Sequence, residues 1–263
     1  MMTSLTPWVK RLMITWAGLW VLSFLLYIAD SDLIFRISLC PAALADGNLT
    51  AVLGLVAYAF LHEIPGIWHL AINCLVLFWT GPEVERYFPG KQFLRFVAVV
   101  VGVGAAVRTV FYLLGADTFG GPALGGSGIT MACLAALAAL QPGLRVNLIV
   151  FTVRLLPLFL VLAVLDGLNL LATFTGKGSM VASELHLAGA AVGWFWAGGF
   201  ERFPVFAKWS AKRRASKEQR KFQQGQDEEQ ELDRILAKIS REGIGSLTSA
   251  ERKFLDRRSR RPD

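Results

Sequence analysis

The stretch Leu124-Gly125-Gly126-Ser127-Gly128-Ile129 decides how this chain is arranged, because it places a serine where a glycine-rich loop becomes an apolar helix. The glycines ahead of the serine disfavour a helix there. The residues from Ile129 to Leu140 are rich in alanine and leucine and carry no charge, and Gln141-Pro142-Gly143 ends them. Ser127 is therefore predicted at the N-terminus of a membrane-type helix, beside backbone N–H groups that can stabilise an oxyanion.

The composition is that of a polytopic membrane protein. Of the 263 residues, 54% are hydrophobic and 18% are charged, and the net charge is +7. Most of the positive charge follows Glu201, which marks the cytoplasmic side of the last span. This basic segment has no interleaved aromatic side chains, so we expect no nucleic-acid partner. The three cysteines lie far apart, so we predict no disulfide framework, no metal and no organic cofactor.

Six apolar segments predict an all-α, polytopic helical bundle with six membrane spans. These segments are Leu12–Ala29, Trp68–Thr80, Phe93–Leu114, Ser127–Leu140, Leu148–Leu171 and Val181–Phe200. The connection Ser31–Gly66 holds a shorter apolar run, Ala51–Leu61, which is predicted to be interfacial. Lys and Arg collect on one side of the bundle when the N-terminus is placed inside. This asymmetry predicts a multi-pass protein of the cell membrane with both termini in the cytoplasm.

The sequence divides into three parts: a six-helix membrane domain over residues 1–203, a basic and polar linker over 204–227, and a small cytoplasmic helical tail over 228–263. In the tail, apolar residues recur at helical spacing, and Thr248 and Glu251 match a capping box. We therefore predict a helical hairpin there. It carries no candidate catalytic residue, so a role in interaction or stability is expected.

Four polar residues are predicted to lie at similar depths in the bilayer. With a rise of ~1.5 Å per residue and a hydrocarbon core of ~30 Å, Ser127 starts roughly 9 Å below the outer face. The same arithmetic places His186 roughly 8–9 Å and His69 about 12 Å below that face. Asn73 follows His69 at i+4, on the same helix face and one turn deeper. Ionisable residues at such depth are costly and usually functional, so these four residues are predicted to form one site.

Each of these residues also has a structural explanation when taken alone. Ser127 could be a helix cap, His186 an interhelical hydrogen-bond partner, and His69 and Asn73 polar packing residues. Together, however, they supply a nucleophile, a base and donors for a developing oxyanion.

Two further features of the last spans bear on this site. Gly189 and Gly193 in the sixth span allow close helix approach, which would bring His186 against the helix of Ser127. Asp166 in the fifth span could be the third member of a triad, but a cavity-facing or interhelical hydrogen-bonding role is the preferred interpretation. Arg108 has no role that the sequence assigns.

In these motifs the chain resembles the rhomboid family of intramembrane serine proteases, in its bacterial, six-span form. The motifs that match are G-x-S-G at Gly125, Ser127 and Gly128, H-x-x-x-N at His69 and Asn73, and H-x-x-G-x-x-x-G at His186, Gly189 and Gly193. The resemblance covers about residues 10 to 200. One departure is Met131, which stands where the family usually has tyrosine or phenylalanine.

The resemblance implies an endopeptidase that cleaves single-span or polytopic membrane proteins in the lipid bilayer, near its outer face. Ser127 would be the nucleophile and His186 the general base of a dyad, with His69 and Asn73 binding the oxyanion. Two other hypotheses are a catalytically silent rhomboid-like protein that binds clients, and a six-span transporter with Asp166 and Arg154 as relay charges. The transporter predicts internal repeats, which the sequence does not show by inspection. The sequence leaves the oligomeric state open.

Overall fold

The computed structural model describes residues 4–29, 31–64, 66–148, 151–178, 181–198 and 204–259. The chain divides into two compact units, Met1–Phe200 and Glu201–Asp263. The helices of the first unit, in chain order, are α1 (Pro7–Ile28), α2 (Leu33–Arg36), α3 (Pro41–Ala45), α4 (Leu49–Ala57), α5 (Ile67–Tyr87), α6 (Lys91–Leu113), α7 (Ser127–Leu140), α8 (Leu155–Phe174) and α9 (Ser183–Trp196). The six predicted spans overlap, in order, with α1, α5, α6, α7, α8 and α9. The predicted end of the sixth span at Phe200 lies outside the described residues.

Helix α7 lies at the centre of the bundle. Nearly all of its side chains are buried, and it packs against α5, α6, α8 and α9. Its alanines and its lack of charge permit this, because small side chains let neighbouring helices approach on every side. Among the described residues, α1, α6 and α8 are long and apolar enough to cross a bilayer, and α7 is a shorter apolar helix. The observed architecture confirms the predicted all-α polytopic bundle.

Helix α4 agrees with the interfacial segment predicted in the first connection. Its exposed apolar side chains, Leu49, Val52, Leu53 and Val56, follow helical spacing and form one face. The opposite side packs against α3 and α6. An apolar face that the protein itself does not cover suits a helix lying in the membrane interface.

Helix α5 is longer than predicted. The sequence Gly81-Pro82 was expected to end the second span, but the helix continues through Pro82 to Tyr87. Tertiary contacts explain the difference. Gly81 lies against the side chain of Val9, and the Glu85 carboxylate accepts a 2.9 Å hydrogen bond from the Val9 backbone N–H at the start of α1. Packing against α1 therefore holds the helix together where its local sequence favours a break.

Helix α8 begins later than predicted, at Leu155 instead of Leu148. Before it, strands β1 (Arg145–Leu148) and β2 (Phe151–Arg154) form an antiparallel hairpin in which Arg145 pairs with Arg154. β-Branched residues in both strands favour extended backbone. Pro157 falls in the first turn of α8, where its missing N–H costs no helical hydrogen bond.

The second unit is a helical hairpin formed by α10 (Pro204–Glu242) and α11 (Ser249–Ser259), joined by a 3₁₀ turn over Ile244–Ser246. The predicted linker, residues 204–227, lies within α10 as one continuous helix, because the segment is rich in strong helix formers and has no proline after Pro204. The predicted boundary at residue 203 lies outside the described residues.

The predicted capping box is present at the start of α11. The Glu251 carboxylate accepts hydrogen bonds from the Thr248 backbone N–H at 2.8 Å and from its hydroxyl at 3.0 Å. Lys238 and Arg234 of α10 contact the same carboxylate at 3.0 and 2.9 Å. These contacts, the Thr248 backbone hydrogen bond foremost, lower the pKa of the Glu251 carboxyl to about 2. They also join the two helices over the buried side chain of Ile235.

Candidate active site

The loop before Ser127 is held rigidly against its neighbours. Gly125 has a φ of 139°, a backbone conformation that only glycine adopts easily, and its N–H donates a 2.8 Å hydrogen bond to the Tyr58 carbonyl. Gly126 lies so close to the Trp16 ring that an added Cβ would be 2.2 Å from it. These contacts fix the point at which α7 begins. Ser127 is therefore presented as the first residue of the helix.

The hydroxyl of Ser127 is hydrogen-bonded to the imidazole of His186. Ser127 Oγ lies 2.7 Å from His186 Nε2. On the other side of the ring, His186 Nδ1 lies 3.0 Å from Asp166 Oδ1 and 3.1 Å from Oδ2. The side chains of His186 and Asp166 are 17% and 14% exposed, so the contacts are largely sheltered from solvent. Two consecutive hydrogen-bond contacts thus join a serine on α7, a histidine on α9 and an aspartate on α8.

Close contact between α7 and α9 sets this geometry. A Cβ added to Gly189 would be 2.1 Å from the Gly128 carbonyl oxygen, and one added to Gly193 would be 2.0 Å from the Ala132 carbonyl oxygen. The two backbones therefore touch along two turns. His186 lies one turn before Gly189, opposite the start of α7, and faces Ser127 for that reason.

His69 lies beside the serine. A Cβ on Gly125 would be 2.9 Å from His69 Cε1, 3.0 Å from its Nε2, and 3.6 Å from Ser127 Oγ. The ring and the hydroxyl thus share one side of Gly125. Of the residues that the sequence placed in one site, the structure brings Ser127 and His186 into direct contact and places the His69 ring beside the same glycine as the serine hydroxyl.

Asn73 is linked to the serine through Thr130. Its amide donates a 2.9 Å hydrogen bond to the His69 carbonyl. Its amide oxygen accepts a 3.1 Å hydrogen bond from the Thr130 hydroxyl, which also lies 2.9 Å from the Ser127 carbonyl. Asn73 therefore lies beside the first turn of α7 and joins α5 to it.

The sequence interpretation preferred a Ser127–His186 dyad, with Asp166 facing a cavity or making an interhelical hydrogen bond. In the structure Asp166 makes interhelical hydrogen bonds to two residues of α9, Ser183 and the histidine itself. Sequence reasoning missed Ser183 and Asn169, which lie beside this carboxylate. The available signal was periodicity: Asn169 follows Asp166 by three residues, and Ser183 precedes His186 by three, so each pair shares a helix face.

Arg108, to which the sequence assigned no role, forms a buried ion pair with Glu184 in the first turn of α9. Its guanidinium also donates a 2.9 Å hydrogen bond to the Gly121 carbonyl. The pair therefore ties the glycine-rich loop to the helix that carries His186. The available signal was an arginine and a glutamate within otherwise apolar stretches of two helices, because buried charges are found in pairs.

The arrangement can perform nucleophilic chemistry. The Ser127 hydroxyl faces a nitrogen that can accept its proton, and the first turn of α7 offers backbone N–H groups to an anion. In the part of the chain that the structure describes, no three His, Cys, Asp or Glu side chains gather as metal ligands.

Comparison with known protein families gives two matches to this chain. Residues 50–202 match the family model of the Rhomboid domain, and residues 216–261 match a family of unknown function, DUF6576. No individual curated protein matches the chain significantly. The first match includes all the site residues described above from Tyr58 onward and covers more than half of the 263 residues. This multi-pass helical membrane protein therefore belongs to the rhomboid family of intramembrane proteases.

Proposed function

We propose that this protein is a serine endopeptidase that cleaves membrane-protein substrates within the bilayer through an acyl-enzyme on Ser127. The observation that carries the proposal is the 2.7 Å contact between Ser127 Oγ and His186 Nε2, made inside a membrane bundle. A hydroxyl and an imidazole on separate apolar helices are costly to bury, and their direct contact is the arrangement that nucleophilic catalysis requires.

Acylation begins when Ser127 Oγ attacks the scissile carbonyl carbon and His186 Nε2 takes the hydroxyl proton. The new C–O bond produces a tetrahedral oxyanion. The backbone N–H of Ser127 and the side chains of His69 and Asn73 are its proposed donors. Collapse of this intermediate breaks the C–N bond, and the proton on His186 passes to the leaving amine.

Deacylation repeats the sequence with water as the nucleophile. His186 takes a proton from water as it attacks the ester carbonyl, and returns that proton to Ser127 Oγ as the acid product leaves. Every proton transfer uses the same imidazole. The chemistry therefore needs no cofactor.

The proposed substrates are single-span or polytopic membrane proteins, cleaved near the outer face of the cell membrane by an enzyme whose termini are both cytoplasmic. Helix α8 supports lateral access, because one face of it carries exposed apolar side chains that would face lipid in a bilayer: Leu160, Val161, Val164, Leu165, Leu168 and Leu171. By resemblance, substrate helices enter between α5 and α8. A scissile peptide has to leave its helix before a serine can reach the carbonyl, so helix-destabilising residues near the cleavage site are expected.

Covalent labelling tests the proposal. Native protein in lipid bilayers, treated with a fluorophosphonate probe, is expected to acquire one adduct, and peptide mapping by mass spectrometry is expected to place it on Ser127. The same preparation is expected to cleave a reconstituted single-span substrate. A native protein that neither takes up the probe nor cleaves any of a panel of such substrates would instead be the silent client-binding protein.

Loss of one oxyanion donor is expected to slow cleavage without weakening substrate binding. His69→Ala and Asn73→Ala should each lower kcat by ~10²–10³-fold, because each donor acts on charge that develops only in the transition state. KM should stay near the native value. Steady-state cleavage of the reconstituted substrate measures both constants.

Thr80→Val is the matched control for these variants. It removes a buried polar group from the same helix, where the hydroxyl donates to the Val76 carbonyl one turn away. We expect its kcat to stay close to native. Native-like kcat in both His69→Ala and Asn73→Ala would contradict their assignment as oxyanion donors.

A further inference from the structure

We infer that Asp166 is a positioning residue that holds His186 with its proton on Nδ1, so that the site is a Ser-His-Asp triad. The inference rests on the proposed function, which needs His186 only as a base, and adds a third residue that fixes how this base is presented. The directions of the hydrogen bonds between α8 and α9 support this role.

The chain of hydrogen bonds begins at Asn169. Its amide nitrogen lies 3.3 Å from the Val181 backbone carbonyl and 2.8 Å from Ser183 Oγ. A carbonyl can only accept, so the atom facing it must be the NH₂ group of the amide. This contact fixes the orientation of the Asn169 side chain. Ser183 Oγ therefore accepts a hydrogen bond from Asn169.

In the next hydrogen bond, Ser183 is the donor and Asp166 is the acceptor. Because its oxygen accepts from Asn169, the Ser183 hydroxyl is able to give its own proton to Asp166 Oδ1, at 2.8 Å. An ionised carboxylate is an acceptor only. The inferred triad takes Asp166 in this ionised form, so the hydrogen in its 3.0 Å contact with His186 Nδ1 belongs to the imidazole.

The consequence appears at the nucleophile. A neutral imidazole that carries its hydrogen on Nδ1 presents a lone pair at Nε2, the atom that lies 2.7 Å from Ser127 Oγ. This is the tautomer that can take the serine proton. Without Asp166 the ring is free to place its hydrogen on Nε2, which would direct a donor toward the serine and leave no base.

The carboxylate is also placed to act when His186 becomes charged. Both of its oxygens lie within 3.1 Å of Nδ1, and its side chain is largely buried. A negative charge at this distance stabilises the imidazolium that forms on attack. The Ser183 hydroxyl, which accepts a hydrogen bond from Asn169, donates to Oδ1 of the same carboxylate and helps to hold it in place. The proposed role therefore has an orienting part and an electrostatic part.

The tautomer can be observed directly in the native protein. The chain has three histidines, so the ¹⁵N spectrum of [¹⁵N]histidine-labelled full-length protein in lipid nanodiscs is assignable by comparison with His186→Ala. We expect neutral His186 to show a protonated Nδ1 and an unprotonated Nε2. In Asp166→Asn, we expect a mixture of the two tautomers. A His186 protonated on Nε2 in the native protein overturns the inference, whether or not any variant folds.

Kinetics provide the second readout. Asp166→Asn, which keeps the size of the side chain, is expected to lower kcat by about 10²–10⁴-fold, with KM close to native. Asp117→Asn is the matched control, because Asp117 is an exposed acid outside the site. It should keep the native kcat and the native histidine spectrum. Ser183→Ala is expected to fall between the native protein and Asp166→Asn.

The two readouts separate this inference from the proposed function. An inactive native protein overturns the proposed function, and the role of Asp166 with it. An active native protein whose Asp166→Asn variant keeps the native kcat and tautomer overturns the inference alone. Loss of kcat together with a changed His186 tautomer, in a variant with native thermal stability, supports the triad.

Discussion

Replacement of Ser127 by alanine is expected to abolish cleavage, with a fall in kcat on the order of 10⁶-fold, because the acyl-enzyme cannot form without the nucleophile. His186→Ala is expected to cost about as much, since the two side chains share one proton transfer across 2.7 Å. Cleavage of a reconstituted single-span substrate under single-turnover conditions measures both losses. Fluorophosphonate labelling should disappear in Ser127→Ala.

The double variant tests whether the two residues act as a unit. Ser127→Ala combined with His186→Ala should be no slower than either single variant, because removal of one partner already disables the other. Ser38→Ala is the control: it removes a buried serine hydroxyl that bonds the Phe35 carbonyl, away from the site. Losses that multiply in the double variant, or labelling that persists in Ser127→Ala, would contradict the assignment of the nucleophile and base.

Replacement of Gly189 by alanine is expected to separate the nucleophile from its base. The added methyl carbon would lie 2.1 Å from the Gly128 carbonyl oxygen, and backbone cannot rotate aside as a side chain can. Helix α9 must therefore move away from α7. Because a shift of ~1 Å at a catalytic contact costs ~10²-fold in rate, we expect at least this loss in labelling and cleavage. Overpacking should also lower the free energy of unfolding by about 1–3 kcal/mol.

Gly102→Ala is the matched control for this change. Gly102 lies in α6, is exposed, and has no neighbouring atom within 4 Å of an added Cβ. Alanine there should raise helix stability by ~0.5–1 kcal/mol and leave activity at the native level. Thermal unfolding in nanodiscs and the labelling rate report the two effects. Native stability and rate in Gly189→Ala would show that α7 and α9 are not held at the backbone contact described above.

The part of the fold that follows from local chemistry was predictable from the sequence. Long uncharged segments have to form helices in a bilayer, since their backbone groups find no other partners there. The start of α7 at Ser127 followed from the glycines before it, and its end at Leu140 from the proline and glycine after it. The capping box at Thr248 was predictable for the same reason, because its partners lie within one turn.

Two predicted helix limits, the end of α5 and the start of α8, were wrong because contacts with other segments of the chain decide them. Helix α5 continues through Pro82 because Gly81 and Glu85 pack on α1, which no local pattern in α5 reveals. The fifth span begins late because residues before Leu155 form a hairpin whose strands pair with each other. In α5, contacts with the distant helix α1 outweigh the preference of the local sequence, whereas the hairpin before α8 is formed by residues close to one another in the chain.

The sequence by itself determined which residues of the site share a helix, and it predicted a similar depth in the bilayer for three of them. Rise per residue is fixed, so Ser127, His69 and His186 could be placed at one level without coordinates. It did not determine the rotation of each helix about its axis, and that rotation decides which side chains meet. Only the packed bundle directs Asp166 of α8 at His186 and Arg108 of α6 at Glu184, because the rotation of a helix depends on its contacts with helices that are distant in the sequence.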